Sequence, residues 1–353
     1  MKFDYINLQL FATLSNGANA TVASGSMGAL NESGAYANPN TDLSPENKKF
    51  YDMTLIQEAS AQLVHDQFGV KKPIPANGGK TIEFRKFHSY DKALTPLQEG
   101  VTPAGKAVKV TAIESTVDQY GDYTMLTDVL DLTAIDNVVL ETTKIHGRQA
   151  GLTLDTITRD VLHSGTRVVY CPKEDGTEVT SRDSLSKDCQ LTVDVVKKVV
   201  AQLRASNAPT INGKYVAIIH PYVAHDLMVD PKWIDAHQYT NVNNIYEGEL
   251  GEIAGVRFVE TSEAKIYNNG SAGTPAVFGT LFLADGAYGV TEITGGGLQT
   301  IVKQKGSAGT ADPLDQRSTV GWKAIKTAEI LIPDYIVRVE SCSKEFSDSV
   351  NAN

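Results

Sequence analysis

Apolar positions recur at helical spacing in DMTLIQEASAQLVHDQFG, where Leu55, Ile56, Ala59, Leu63 and Val64 mark one face and Gly69 is placed to end the helix. The period then changes to two. Ile82 and Phe84 alternate with polar residues, as do Val108 and Val110, while Pro96, Gly100, Pro103 and Gly105 interrupt the stretch between them. The pattern predicts a long two-stranded excursion rather than a tight hairpin. So long a loop is unusual inside a compact domain, and packing on a neighbouring subunit would explain it. The longest helical pattern follows, from about Thr127 to His163. Val129, Leu130, Ile135, Val138, Val139 and Ile145 mark its face. Beyond Gly147 and Gly151, Leu154, Ile157, Val161 and Leu162 continue it. Asp155 and Arg159, four apart, are expected to pair on its exposed side. A helix of that length usually serves as a strut.

Residues 168 to 190 predict a strand and a polar hairpin around Asp175-Gly176. Thr192 is placed to cap an amphipathic helix with Val196, Val199, Val200 and Leu203 inward. Asp194 in its first turn and Arg204 in its last both suit the helix dipole. KYVAIIH is a buried strand by its β-branched run, and VRFVET, VFGTLFLA and YGVTEI are further strands. This alternation predicts one α/β lobe over 191–299. The tail, STVGWKAIKTAEILIPDYIVRVE, is expected to return and pair with strands from the first half of the chain. Residues 13 to 47 show neither period. They are rich in Ser, Asn, Ala and Gly, nearly devoid of charge, and expected to order only against something else.

Composition narrows the picture. In 353 residues, 41% are hydrophobic and 21% charged, so most of the chain should fold, and its length suits two lobes. The formal net charge is −10 and no basic run exceeds two residues. Such a chain is a poor candidate for wrapping nucleic acid, which needs clustered Lys and Arg. Cys171, Cys189 and Cys342 form no C-x-x-C pair, so neither a zinc knuckle nor a redox motif is supported, and reduced thiols are expected, although Cys171 and Cys189 are placed to meet across a hairpin. No apolar run approaches the ~20 residues of a membrane span. Asp4, Asn7 and Gln9 break the opening too often for a signal peptide.

The one stretch that suggests metal chemistry is AIIHPYVAHDLMVDPKW, residues 217–233. A ligand set of His220, His225 and Asp226 meets two objections: the histidines are five apart, and Pro221 follows the first. That spacing does not place both rings on one helix face, and the zinc geometries are absent. The favoured reading is a strand-to-helix corner with Pro221 in the first turn, both histidines polar surface or boundary residues, and Asp226 and Asp230 solvated. GSAGTADP lacks G-K-[ST], Gly295-Gly296-Gly297 reads as a flexible turn, and no G-x-S-x-G elbow or sequence-local triad appears. No catalytic residue, cofactor or metal is assigned.

Three stretches, taken together, point elsewhere. QYGDYTMLTDVLDLT leads into GRQAGLTLDTITRDVLHSGT; NIYEGELGEIAGVRFVET and KQKGSAGTADPLDQRSTVGWK follow. In this order and spacing they closely resemble one family of tailed-bacteriophage major capsid (coat) proteins, from about residue 50 to 340. The opening NLQLFA also looks like the start of many phage coat proteins. The resemblance implies the α+β tailed-phage major capsid fold. Its parts would be an N-terminal arm (1–50), an N-terminal helix region (51–79), an extended loop (80–110), a peripheral domain with a long spine helix (111–190 and 300–345), and an axial domain (191–299). It implies a structural protein, not an enzyme, that self-assembles into pentamers and hexamers of an icosahedral shell enclosing double-stranded DNA. Its partners would be itself, a portal protein, and scaffold or decoration proteins; its place, the virion, after assembly in the host cytoplasm. The alternatives are a nanocompartment shell of the same fold and a soluble metal-dependent enzyme. Within the extended loop, Arg85, Lys86, Lys92, Glu99 and Lys106 form a mostly basic set on an acidic chain. They are the candidate inter-subunit contacts, expected to meet acids of a neighbouring copy.

Overall fold

The computed structural model describes residues 45–353 apart from 61–62, 76–78, 88–89, 91, 97–98, 101, 103–104, 134–136, 239–250, 269, 271–273, 293–296, 308–311 and 349. The arm expected over 1–50 therefore lies almost wholly outside the described residues. The chain divides into two compact units, one comprising 1–61, 120–150 and 298–324, the other 62–119, 151–297 and 325–353.

In the first unit, helix α1 (Pro45–Ser60) buries Leu55 and Ala59. It ends before the predicted Gly69. Strand β4 (Asp118–Thr127) and strand β11 (Gln299–Lys303) both pair with β12 (Arg317–Ile330), β11 in antiparallel register from Gln299↔Lys323 to Lys303↔Thr319. Gly121 and Gly321 make the approach of β4 to β12 possible: a Cβ at Gly121 would lie 2.6 Å from the Trp322 carbonyl oxygen, and one at Gly321 2.7 Å from that of Asp122.

The helix predicted from Thr127 to His163 is instead two helices, α2 (Asp128–Thr133) and α3 (Val138–His163). Asn137 starts the second. Its carbonyl accepts the Glu141 N–H, and its side-chain oxygen accepts that of Leu140 at 3.1 Å. The apolar face read across the break holds only in part: Val129, Leu130 and Ile145 are exposed, Val138 and Val139 are half-buried, Ile135 lies outside the described residues, and Leu154 and Leu162 are buried as expected, as are Thr143 and His146. Gly147 lies where α3 meets α1, with a hypothetical Cβ 2.8 Å from the Leu55 carbonyl.

The second unit is built on a six-stranded sheet in the order β5-β13-β9-β6-β8-β7. Its strands are β5 (Val168–Tyr170), β6 (Tyr215–Ile219), β7 (Glu252–Ile253), β8 (Val256–Glu260), β9 (Phe278–Leu283) and β13 (Ile336–Ser341). Every residue of β6 and β9 is buried, as expected of central strands covered on both faces. Helix α4 (Val193–Ala205) adds Val196, Val199, Val200 and Leu203 to the core, as its period predicts. Thr192 occupies the N-cap position but makes no side-chain bond there.

The expected lobe over 191–299 needs amending. Strands β5 and β13 join its sheet from outside that range, and β10 (Tyr288–Glu292) leaves it, pairing with β12 from Tyr288↔Ile330 to Glu292↔Lys326 and with the short β1 (Val70–Lys71). The reason is edge occupancy. Strand β9 has β6 on one side and β13 on the other, so no hydrogen-bonding edge remains for β10. Gly69 serves this second sheet: a Cβ there would come within 2.6 Å of the Tyr288 ring.

The excursion is a ribbon of β2 (Thr81–Phe87) and β3 (Val110–Thr116), paired from Thr81↔Thr116 to Phe87↔Val110. Its root is not left bare. Ile82 and Phe84 are buried with Ile74 and Val117, and Ile113, Ile325 and Leu331 pack alongside. Val108, predicted as part of the return strand, precedes it and is exposed.

Asp155 and Arg159 are not on an exposed face; they are 0% and 2% exposed. One Asp155 oxygen accepts the backbone N–H groups of Val64 (2.9 Å) and His65 (2.7 Å), and the other lies 2.6 Å from His65 Nδ1. Arg159 donates to the Glu263 carbonyl at 2.9 Å. Next door, Thr158 donates to Asp66 at 2.6 Å, and Lys326 pairs with the same carboxylate. Helical spacing identifies faces, but not how many of them the rest of the chain covers. Asp155→Ala should strand the buried donors of residues 64 and 65. Urea unfolding is expected to show a loss of about 3 kcal/mol or more; a loss below about 1 kcal/mol would mean that these donors find other partners.

Candidate functional site

The histidine stretch forms the corner between β6 and helix α5 (Pro221–Val229). His220 is the N-cap of α5: its Nδ1 accepts the Tyr222 N–H at 3.2 Å, and its ring packs against Tyr222 and Phe278 at centroid distances of 4.8 and 4.9 Å. It is therefore a buried capping residue, not a surface or boundary one. Burial pushes its pKa down to about 4, since a charged ring would be desolvated and would lose its acceptor. His225 is exposed and lies edge-on to Phe346. The two rings do not converge.

The acids of this stretch are structural too, contrary to the solvated reading. Asp226 is buried and accepts the Lys344 N–H at 3.3 Å. Asp230 accepts the Val193 N–H with one oxygen and the Lys232 N–H with the other, both at 2.9 Å. One carboxylate thus serves the first turns of both α4 and helix α6 (Pro231–Gln238). Among the described residues, no group of three His, Cys, Asp or Glu side chains is arranged to hold a metal.

A cleft of 510 Å³ opens beside this corner, lined among others by Lys173, Glu174, Asp194, Lys198 and Lys232. Two of its charges are matched within it: Lys232 holds the Asp194 carboxyl below its usual range, and the two form an ion pair. The three cysteines are buried free thiols. Burial raises the pKa of Cys342 to about 12 and that of Cys171 further, which leaves both protonated and unreactive at neutral pH.

The predicted contact residues lie along the ribbon. Arg85 is exposed on β2 and pairs with Glu83 of the same strand at 2.9 Å. Lys86 is half-buried, while Lys92, Glu99 and Lys106 are exposed beyond the paired strands. Sequence reasoning missed a second exposed surface in the first unit. Tyr123 and Met125 of β4, Val129, Leu130 and Leu132 of α2, and Leu314 all face solvent. The signal was present as unusual apolar content over 123–132, but the helical period assigned much of it to a buried face.

Residues 111–302 match a family model described as phage capsid protein. Among solved structures, the fold is similar to the capsid of cyanophage P-SCSP1u, with a TM-score of 0.63 and 15% identity over 80% of this chain and 88% of that one. The cyanophage Pam1 capsid gives 0.62 and 12% over 89% and 98%, and the Ralstonia phage GP4 capsid 0.60 and 16% over 80% and 89%. Identities this low speak for the fold alone, which is the α+β fold of phage capsids. No curated protein matches the chain.

The depressed His220 pKa has a consequence for stability. A histidine with a folded pKa of about 4, against an ordinary 6.5, contributes fully above pH 6.5 and loses that contribution as pH falls toward 4. His220→Asn keeps a capping acceptor and removes the titration. Between pH 7 and 4 the native protein should lose about 2 kcal/mol more than this variant, allowing for solvent near the ring. Parallel denaturation curves for the two proteins across that window would contradict this.

Proposed function

The chain belongs to the phage capsid protein family, and on that premise we propose that it closes into pentamers and hexamers that tile an icosahedral shell around double-stranded DNA. The observation that carries this reading is the family match over more than half of the chain, joined to a capsid fold over most of it. The activity is self-association through head-to-tail contacts, which close into rings when the rotation between neighbours allows. No catalytic step is assigned. A standard interface of ~1,600 Å² would be shared among the N-terminal arm (1–50), the extended loop (80–110) and the axial domain (191–299). The remaining segments, 51–79, 111–190 and 300–345, would form the helix region and the peripheral domain.

The net charge of −10 fits a container that must hold DNA and later release it, since a strongly basic lining would retain phosphates. Portal, scaffold and decoration proteins are the further partners of this reading. The virion is its location, with assembly in the host cytoplasm. Among the described residues, no helix is long and apolar enough to cross a membrane.

Micrographs of the expressed chain, alone and with neighbouring head genes, should show closed shells; a persistent monomer under both conditions would count against the proposal. Within it, the ribbon acts by charge. Reversing Arg85 and Lys86 to Glu should slow or misdirect assembly while the monomer melts almost unchanged, because exposed pairs contribute only ~0 to 1 kcal/mol each. The defect should grow as salt is lowered. Normal shells at every salt concentration would remove the ribbon's electrostatic role.

A further inference from the structure

The last turns of α3 carry Asp155, Arg159 and His163 at intervals of four, so one buried face of the helix is a stripe of ionisable groups. The clamp on residues 64 and 65 uses the first of them. The third has no such match. His163 Nδ1 lies 2.8 Å from the Tyr267 hydroxyl, but its Nε2, like that of buried His65, has no hydrogen-bond partner among the described residues. Strand β9 closes over the ring without offering one: a Cβ at Gly279 would lie 2.5 Å from the imidazole. A neutral ring tolerates this, because its one proton can sit on Nδ1 and face Tyr267. A charged ring does not, because a second proton on Nε2 has nothing to receive it.

The surrounding charges add to the cost. Helix α3 contributes Arg159 and Asp160, the segment after β8 contributes Glu263, Lys265 and Tyr267, and β13 contributes Arg338 and Glu340, with Arg182 stacked on Tyr267. Each engaged carboxylate is already shared by two cations. Asp160 meets Arg159 and Lys265 at 3.2 and 3.1 Å, and Glu340 meets Arg182 and Arg338 at 2.6 and 3.0 Å. Glu263 gives Arg159 its backbone carbonyl, and Arg338 donates to the carbonyl of His163 itself. On the other side, Asp155 is committed to residues 64 and 65, and Asp66 to Thr158 and Lys326. Burial holds the His163 pKa well below its ordinary 6.5, and His65, Arg338, Arg159 and Lys265 push it the same way.

We infer that His163 is an acid-released latch between α3 and the sheet: its protonation frees the last turn of the helix from β9 and from segment 261–267, while the central strands stay folded. The sign follows from linkage. The contribution of His163 is complete above pH 6.5 and is lost as pH falls below it, by up to about tenfold in the opening equilibrium per pH unit. Opening is local, because β6, β9 and β13 pair with one another independently of α3. The latch belongs to the single subunit and stands whether or not the chain builds shells.

Hydrogen exchange read by mass spectrometry tests this, on the full chain carrying His220→Asn so that the other depressed histidine does not titrate. Rates are corrected for the pH dependence of exchange itself. Between pH 7 and pH 5 the amides of Ser164, Gly165, Tyr267 and Gly279, each bonded to a backbone carbonyl, should exchange about tenfold faster or more, with residues 215–219 unchanged. His163→Gln, which keeps a polar partner for Tyr267 and does not titrate, should flatten this response. Lys265→Met should move it to lower pH, since one cation fewer faces the ring; a merely structural role for Lys265 would speed exchange equally at both pH values. Equal protection at pH 7 and pH 5, an acid response that survives in His163→Gln, or exchange of residues 215–219 together with the helix end would each overturn the latch. Should His163→Gln not fold, an unshifted response in Lys265→Met overturns it alone.

Discussion

The second unit depends on one carboxylate. Asp155, on α3, accepts two consecutive backbone N–H groups and the ring of His65, and so fixes residues 64 and 65 against a helix ninety residues away in sequence. The adjacent turn of α3 repeats the device, with Thr158 and Lys326 meeting at Asp66. A buried charge of this kind is weak evidence for stability, because desolvation cancels much of the attraction. It is strong evidence for geometry, since any shift of the helix leaves buried donors unpaired. Apolar contacts alone would let α3 slide or rotate against its neighbours at little cost.

The interior and the exterior of this protein are satisfied in different ways. Inside, several charged groups are matched at short range: Arg182 makes two bonds to buried Glu340, at 2.6 and 2.7 Å, and stacks on Tyr267, while Asp230 serves two helices at once. Outside, the ribbon and α2 are left with apolar side chains facing water. That contrast suits a subunit that must fold alone and yet gain by finding copies of itself. If every surface were matched internally, nothing would drive association. If the core were as incomplete as α2, the monomer would aggregate before it assembled.

Regular periods in the sequence translated well. Val196, Val199, Val200 and Leu203 predicted the inner face of α4, and the β-branched run of KYVAIIH predicted a strand buried on all sides. The missing ligand spacing around His220 and His225 also argued correctly for a corner, with Pro221 as the first residue of α5. The break before α3 was legible as well, because Asn137 is a favoured N-cap residue, but the apolar residues around it suggested one continuous helix.

What the sequence determined by itself was therefore local: the period of each element, the caps and glycines that bound many of them, and, through the three resembling stretches, membership in a capsid family. What only the tertiary structure decided was where covering stops. Asp155 and Arg159 look like an outward pair in the sequence, yet both are buried, because a hydrophobic period marks one inward face and says nothing of a second layer. Strand β10 looks like the next strand of the lobe, yet it leaves, because β13, nearly fifty residues later, takes the edge of β9. Val129 and Leu130 look like core, yet they face water. Burial depends on which distant segments arrive, and that is a property of the whole chain rather than of any window along it.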